Sequence, residues 1–227
     1  MDLRACTATV ALILAGCSAP AGTAPEQDPQ DAFWDALSSH CGKAYAGEIV
    51  SEDERDADWQ GREMVAHWAL CDEGLVAVAF HMEDPDRPDG WDRSRTWVVS
   101  RMRTITNTTT DDETVSTQRT SLRLKHDHRH DDGSEDAVTQ YGGDTADSGS
   151  ASAQDFPVDQ ESIDMFEEQG LDASLTNVWR IEVTPADSEE PHFVYQLTRR
   201  NDPSRQFRVR FDASQPVEPP PPAWGWD

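Results

Sequence analysis

The sequence predicts a mainly β protein: an antiparallel meander forming an up-and-down barrel or a strongly curved sheet, with one N-terminal helix. A two-sheet β-sandwich is the alternative. Three observations carry this expectation. Apolar and polar residues alternate with the two-residue period of half-buried strands through much of the chain after residue 60. Short acidic links bearing glycine or proline separate those runs, as in Asp72-Glu73-Gly74 and EDPDRPDGWD (83–92). The clearest helical spacing precedes them all. The 227 residues suit one domain with tails. A hydrophobic content of 36% with a mean hydropathy of -0.72 excludes a multi-span membrane protein.

The elements follow in order. Asp28-Pro29-Gln30-Asp31 supplies an N-cap, a proline at the first helical position and an acid three residues past the cap. Phe33, Trp34 and Leu37 then recur at helical spacing and Gly42 offers a stop, so 29–41 reads as an amphipathic helix. A strand is expected around 45–50. Met64, Ala66, Trp68 and Leu70 alternate, Gly74 turns the chain, and Val76, Val78, Phe80 and Met82 complete a hairpin. Further strands are expected at 95–102, 117–128, 178–183, 193–199 and 206–211, with a second helix near 160–169. The stretch 145–154 reads as low-complexity loop. Residues 29–213 therefore form a single β-rich domain, and 214–227 a Pro-rich tail ending in Trp224 and Trp226. That tail lays its tryptophans on the domain or, alternatively, docks a partner.

Residues 1–16 read as a signal peptide. Arg4 stands in a short leading region, and the apolar run from Ala5 to Gly16 falls far short of the ~20 residues a spanning helix needs. The run ends in Leu14-Ala15-Gly16-Cys17, which resembles the bacterial lipobox. That resemblance implies cleavage before Cys17 and acylation of its thiol. Each buried methylene contributes about 0.8 kcal/mol, so several acyl chains make a durable membrane anchor. Ser18 after the cysteine implies the outer membrane, at its periplasmic or cell-surface face. Residues 17–28, rich in Pro, Ala and Gly, form a flexible tether. An ordinary secretory signal is the other reading, and it too implies export.

Cys41 and Cys71 remain for the mature domain. An even pair in an oxidising compartment predicts one disulfide, contributing roughly 3 kcal/mol in the chain-entropy model. A catalytic thiol at either position is the alternative.

The residues that could carry chemistry lie in 122–144. Strand parity puts His126, His128 and His130 in line with Leu122 and Leu124, and sends Arg123, Lys125, Asp127 and Arg129 to a solvated face. Three imidazoles continuing an apolar row, with Glu135 or Asp131 nearby, predict a candidate zinc, copper or iron site. His128-x-His130, followed by Glu135 and Gly142, resembles the first cupin motif, which implies a metal held by His128, His130 and Glu135 inside a small barrel. Leu122 stands where that motif has its leading glycine. Two other readings stay open: histidines hydrogen-bonded to acidic neighbours that fix the strand end, and a pH-responsive surface patch. Arg93 and Arg95 either grip a carboxylate or phosphate or line a solvated strand edge.

The charge balance, 19 basic against 44 acidic residues for a net of -25, argues against a nucleic-acid partner. No Walker loop, GxGxxG, HExxH, CxxC or GxSxG is present. The expected function is a lipid-anchored, exported envelope protein, a non-enzymatic binding or structural module for a small ligand or partner. Its barrel would be calycin-like. The alternative is a cupin-like metal-dependent enzyme or metal-binding protein using His126, His128, His130 and Glu135.

Overall fold

The computed structural model describes residues 27–110 and 113–226; the expected signal peptide, Cys17 and most of the expected tether lie outside them. Ten strands form one antiparallel sheet: β1 (Ala44–Ile49), β2 (Met64–Cys71), β3 (Leu75–Glu83), β4 (Trp91–Thr109), β5 (Thr114–His128), β6 (Tyr141–Asp144), β7 (Ala153–Pro157), β8 (Asn177–Val183), β9 (His192–Arg199) and β10 (Asp202–Val217). Their order is β6-β5-β4-β3-β2-β1-β10-β9-β8-β7. Every neighbour in that order but one pair is consecutive in sequence. The exception is β1 with β10, which joins the two ends of the meander.

The sheet thus curls into a nearly closed up-and-down barrel with its seam between β6 and β7. The seam is tight. The Asp159 amide donates to the Gly142 carbonyl across 2.9 Å. A Cβ on Gly143 would lie 1.8 Å from the Pro157 carbonyl oxygen, and one on Gly142 1.8 Å from that of Leu124. Only glycine permits this approach.

Alternation fills the lumen. Met64, Ala66 and Trp68 on β2, Val76, Val78 and Phe80 on β3, and Trp97 and Val99 on β4 point inward and are buried. They meet Trp179, Ile181 and Val183 of β8, Phe193 of β9 and Phe207, Val209 and Phe211 of β10 in one core. The barrel is packed, not hollow, along most of its length.

One end is stoppered. Helix α1 (Pro29–Ser38) is capped by Asp28, whose carboxylate accepts from the Gln30 amide. It inserts Phe33, Trp34 and Leu37 into the core, and the Trp68 indole donates to the Leu37 carbonyl at 3.0 Å. The Gln30 amide group donates to Thr145 Oγ1 at 2.7 Å, and His40 sits between the Tyr45 hydroxyl and the Thr184 carbonyl. Cys41 and Cys71 form the expected disulfide, Cα–Cα 6.0 Å, which ties the end of the stopper to the end of β2.

Helix α2 (Gln160–Glu168) follows β7, its N-cap Asp159 accepting from the Ser162 amide. The expected helices and strands are all present, with helix α1 ending at Ser38 and β10 running on to Val217, into the expected tail. Two short strands, β6 and β7, add to those the sequence predicts. The tail itself lies on the barrel. The Trp224 amide donates to the Arg93 carbonyl, Arg87 stacks over the Trp224 ring at 4.7 Å, and the Trp226 indole donates to Asp127 at 2.7 Å.

Candidate functional site at the barrel mouth

The end opposite α1 has no stopper. There β4, β5, β9 and β10 carry the same inward pattern, an aromatic or aliphatic residue followed two positions outward by a polar one. The pairs are Trp97 and Arg95, His126 and His128, Leu197 and Arg199, and Phe207 and Arg205. All of these but Arg199, with Phe80, Tyr141, Tyr195 and Asp56 and Trp59 of a short 3-10 segment (Glu54–Trp59), line a cavity of about 290 Å³. That is close to the lower bound of ~300 Å³ for small-molecule sites. A second cavity of about 320 Å³ adjoins it beneath α2, sharing His128, Tyr141, Tyr195 and Leu197.

An aromatic stack forms one wall. Trp59 lies parallel to Phe80, Phe80 to Trp97 at 4.8 Å, and Trp97 to Tyr195 at 4.3 Å. Arg95 stands over the Trp59 ring at 5.2 Å and bonds Asp92 at 2.5 Å. Arg205 is gripped by both oxygens of Asp56, at 2.5 and 2.9 Å, with Asp53 at 3.0 Å. Burial opposes the charge on Arg205, but those carboxylates hold its pKa above the usual value. Arg199 has the reverse balance: burial, with Arg205 and Arg55 nearby, lowers its pKa, and its Nε donates to Asn177 at 3.1 Å.

The floor is a hydrogen-bonded network. The Tyr141 carbonyl, 3.0 Å from His126 Nδ1, can only accept, so Nδ1 carries the proton. Nε2 is then an acceptor, and the Tyr195 hydroxyl donates to it at 2.7 Å. The Tyr141 hydroxyl lies 3.0 Å from His128 Nε2. Burial drives the His126 pKa down to about 3, with His128 adding to the shift. Burial, then Arg95, drives His128 down to about 4. Burial raises Tyr141 to about 12 and lifts Tyr195 well above its ordinary value. The floor is therefore neutral at pH 7: two imidazoles and two phenols.

Parity places His126 and His128 at this site but does not extend to His130. β5 ends at His128, and the His130 amide turns back to the Ser134 carbonyl at 2.9 Å. His130 lies exposed, 4.0 Å from Asp136, and Glu135 is exposed and paired with Arg129 at 3.4 Å. The four expected metal ligands are thus divided between the lumen and the outer loop. Among the described residues no three His, Cys, Asp or Glu side chains gather closely enough to hold a metal ion. Asp127, expected to face water, is 1% exposed: Arg129, Gln140 and the Trp226 indole of the tail cover it. Arg95 enters the cavity, whereas Arg93 lies outside against Trp224.

Sequence reasoning passes over Trp59, Trp97, Tyr141, Tyr195, Leu197 and Phe207 as site residues. A signal exists in the arginines two positions beyond a core aromatic or leucine on three strands. Trp59 carries none, since it precedes the strand it covers. The larger cavity of about 660 Å³ outside β1 and β10 is lined mainly by polar and charged residues, Glu48, Glu189, Glu190, Arg210 and Asp212 among them, and by no aromatic side chain. Comparison with protein-family models, with curated proteins and with solved structures finds no match to this chain.

Proposed function

We propose that this chain is a lipid-anchored, exported binding module that holds a small, largely apolar ligand at the barrel mouth. The observation that carries the reading is the aromatic-walled cavity, with a neutral His–Tyr floor and arginines at its rim. A planar or aliphatic body would replace water on the Trp59–Phe80–Trp97 wall, and burial of apolar surface supplies the affinity. Convergent polar groups at the rim would set orientation.

The anchor rests on Leu14-Ala15-Gly16-Cys17. An anchor on the tether enters the barrel at α1, so the mouth would face away from the bilayer.

Titration of the full chain in detergent with 1-anilinonaphthalene-8-sulfonate tests the site. Saturable one-to-one binding that quenches tryptophan emission is expected. Leu197→Trp, which fills the cavity from β9, should weaken it about tenfold while leaving the far-UV spectrum unchanged. Equal binding by the filled variant would remove the mouth as the site. In fractionated cells that express the full chain, Cys17→Ser should move the protein from the membrane to the soluble fraction.

A further inference from the structure

The β4–β5 hairpin outruns the barrel. β4 pairs with β3 only as far as Ser100, and β5 with β6 only from Arg123, yet the two strands stay paired from Arg101↔Leu122 out to Thr109↔Thr114. Residues 103–110 and 113–119 are exposed on both faces, Ile105 and Val115 among them. A two-stranded ribbon is marginal alone in water and gains stability from a third strand. Its β5 edge is open. From Thr114 to Thr120 there is no proline, lysine or bulge, the devices that keep natural edges from pairing.

The geometry of that edge is self-complementary. Where β5 meets the chain on this side, its even-numbered residues make the bonds. Leu122 O accepts from Thr145 N, His126 O from Gln140 N and His128 O from Asp136 N. The same parity turns the N–H and C=O groups of Thr114, Ser116 and Gln118 outward along the open edge. Glu113, Val115, Thr117 and Arg119 then form one row on one face. Reversed about Ser116, the row meets itself with Glu113 opposite Arg119 and Val115 opposite Thr117. The other edge of the ribbon, on β4, carries Arg103 with no acid from Thr104 through Thr110 to pair with it, since Arg101 is already bonded to Asp31.

We propose that the β5 edge pairs with the same edge of a second copy of this chain. The two ribbons become one four-stranded antiparallel sheet around a two-fold axis at Ser116, closed by two Glu113–Arg119 pairs. Even residues face even residues in this register, so each outward N–H and C=O finds a partner. The ribbon leaves the stoppered end of the barrel, so both mouths stay open.

Sedimentation of the full chain in a density-matched detergent tests this. A reversible dimer is expected. Arg119→Glu should weaken it about tenfold or more, since each pair becomes two acids. Glu113→Arg together with Arg119→Glu should restore it. Ser116→Pro, which removes an outward N–H and leaves the β4 ladder intact, should also dissociate it. A monomer at all concentrations would overturn the proposal and leave the edge to a strand of another protein. So would a dimer indifferent to Arg119→Glu and Ser116→Pro, or one that the double swap fails to restore.

Discussion

His81 lies on the outer face of β3, wholly buried, and neither ring nitrogen has a partner. Burial pushes its pKa down to about 4; His67 and Arg93 add to the shift, while Asp92 and Asp89 oppose it. In the unfolded chain it takes a proton near 6.5. Between those values the unfolded state binds more protons, so the stability tied to a neutral His81 is complete above pH 6.5. It is lost as pH falls toward 4, by up to about 3 kcal/mol. His128 acts in the same direction over the same window, and His126 does so down to about pH 3. Urea midpoints should therefore drop steeply between pH 6.5 and 4. His81→Leu should flatten that slope and raise stability at pH 7 by about 1–2 kcal/mol, because it removes two unmet polar atoms. An unchanged slope would show that His81 opens to water before it titrates. Of the residues around the site, parity makes His126 and His128 legible, since each follows Leu124 by an even step. His130 is only partly legible: Asp132-Gly133 marks a turn, but not that His130 already belongs to it, its carbonyl accepting from the Gly133 amide.

The element most dependent on single atoms is the seam. Tyr141-Gly142-Gly143 reads in sequence as a tight turn or a close backbone approach, and it is the second: β6 passes so near Pro157 and β5 that neither glycine has room for a methyl group. Gly143→Ala must push β6 from β7. It should cost about 3 kcal/mol or more, as overpacking against rigid backbone does. It should also raise hydrogen exchange first at the Asp159 amide, whose bond to Gly142 spans the gap. Full protection there would mean that the seam closes by other contacts. The long strands are legible because alternation over five or more residues is unambiguous. β6 offers four residues, two of them glycine, and β7 begins inside a Ser- and Ala-rich stretch, so neither has a pattern to read. The hairpin beyond Met102 is equally hidden, for Thr, Ser and Asn carry strand propensity without contrast between faces.

At the scale of the whole molecule, a net charge of -25 sits on a barrel whose buried ion pairs are few. Arg205 with Asp56, side chains 10% and 5% exposed, is the best shielded and loses little to salt. Several other pairs are half-exposed, such as Arg123 with Asp144 at 42% on both sides, and contribute little each. The dominant long-range force is repulsion among unpaired carboxylates, and it acts against the compact state. Added potassium chloride screens that repulsion with a Debye length falling from about 10 Å at 0.1 M to about 3 Å at 1 M. The melting temperature of the full chain should consequently rise, by roughly 2–4 °C for each kcal/mol of relief in a domain of this size. Chloride is preferred to sulfate for this measurement, since sulfate strengthens apolar burial by itself. A fall in melting temperature would reverse the ranking and mean that the exposed ion pairs outweigh the net charge. The dimer should respond in two parts: its Glu113–Arg119 pairs weaken with salt while the repulsion between two acidic barrels relaxes. An association constant that changes little across this range, beside a monomer that grows more stable, is the combined outcome expected.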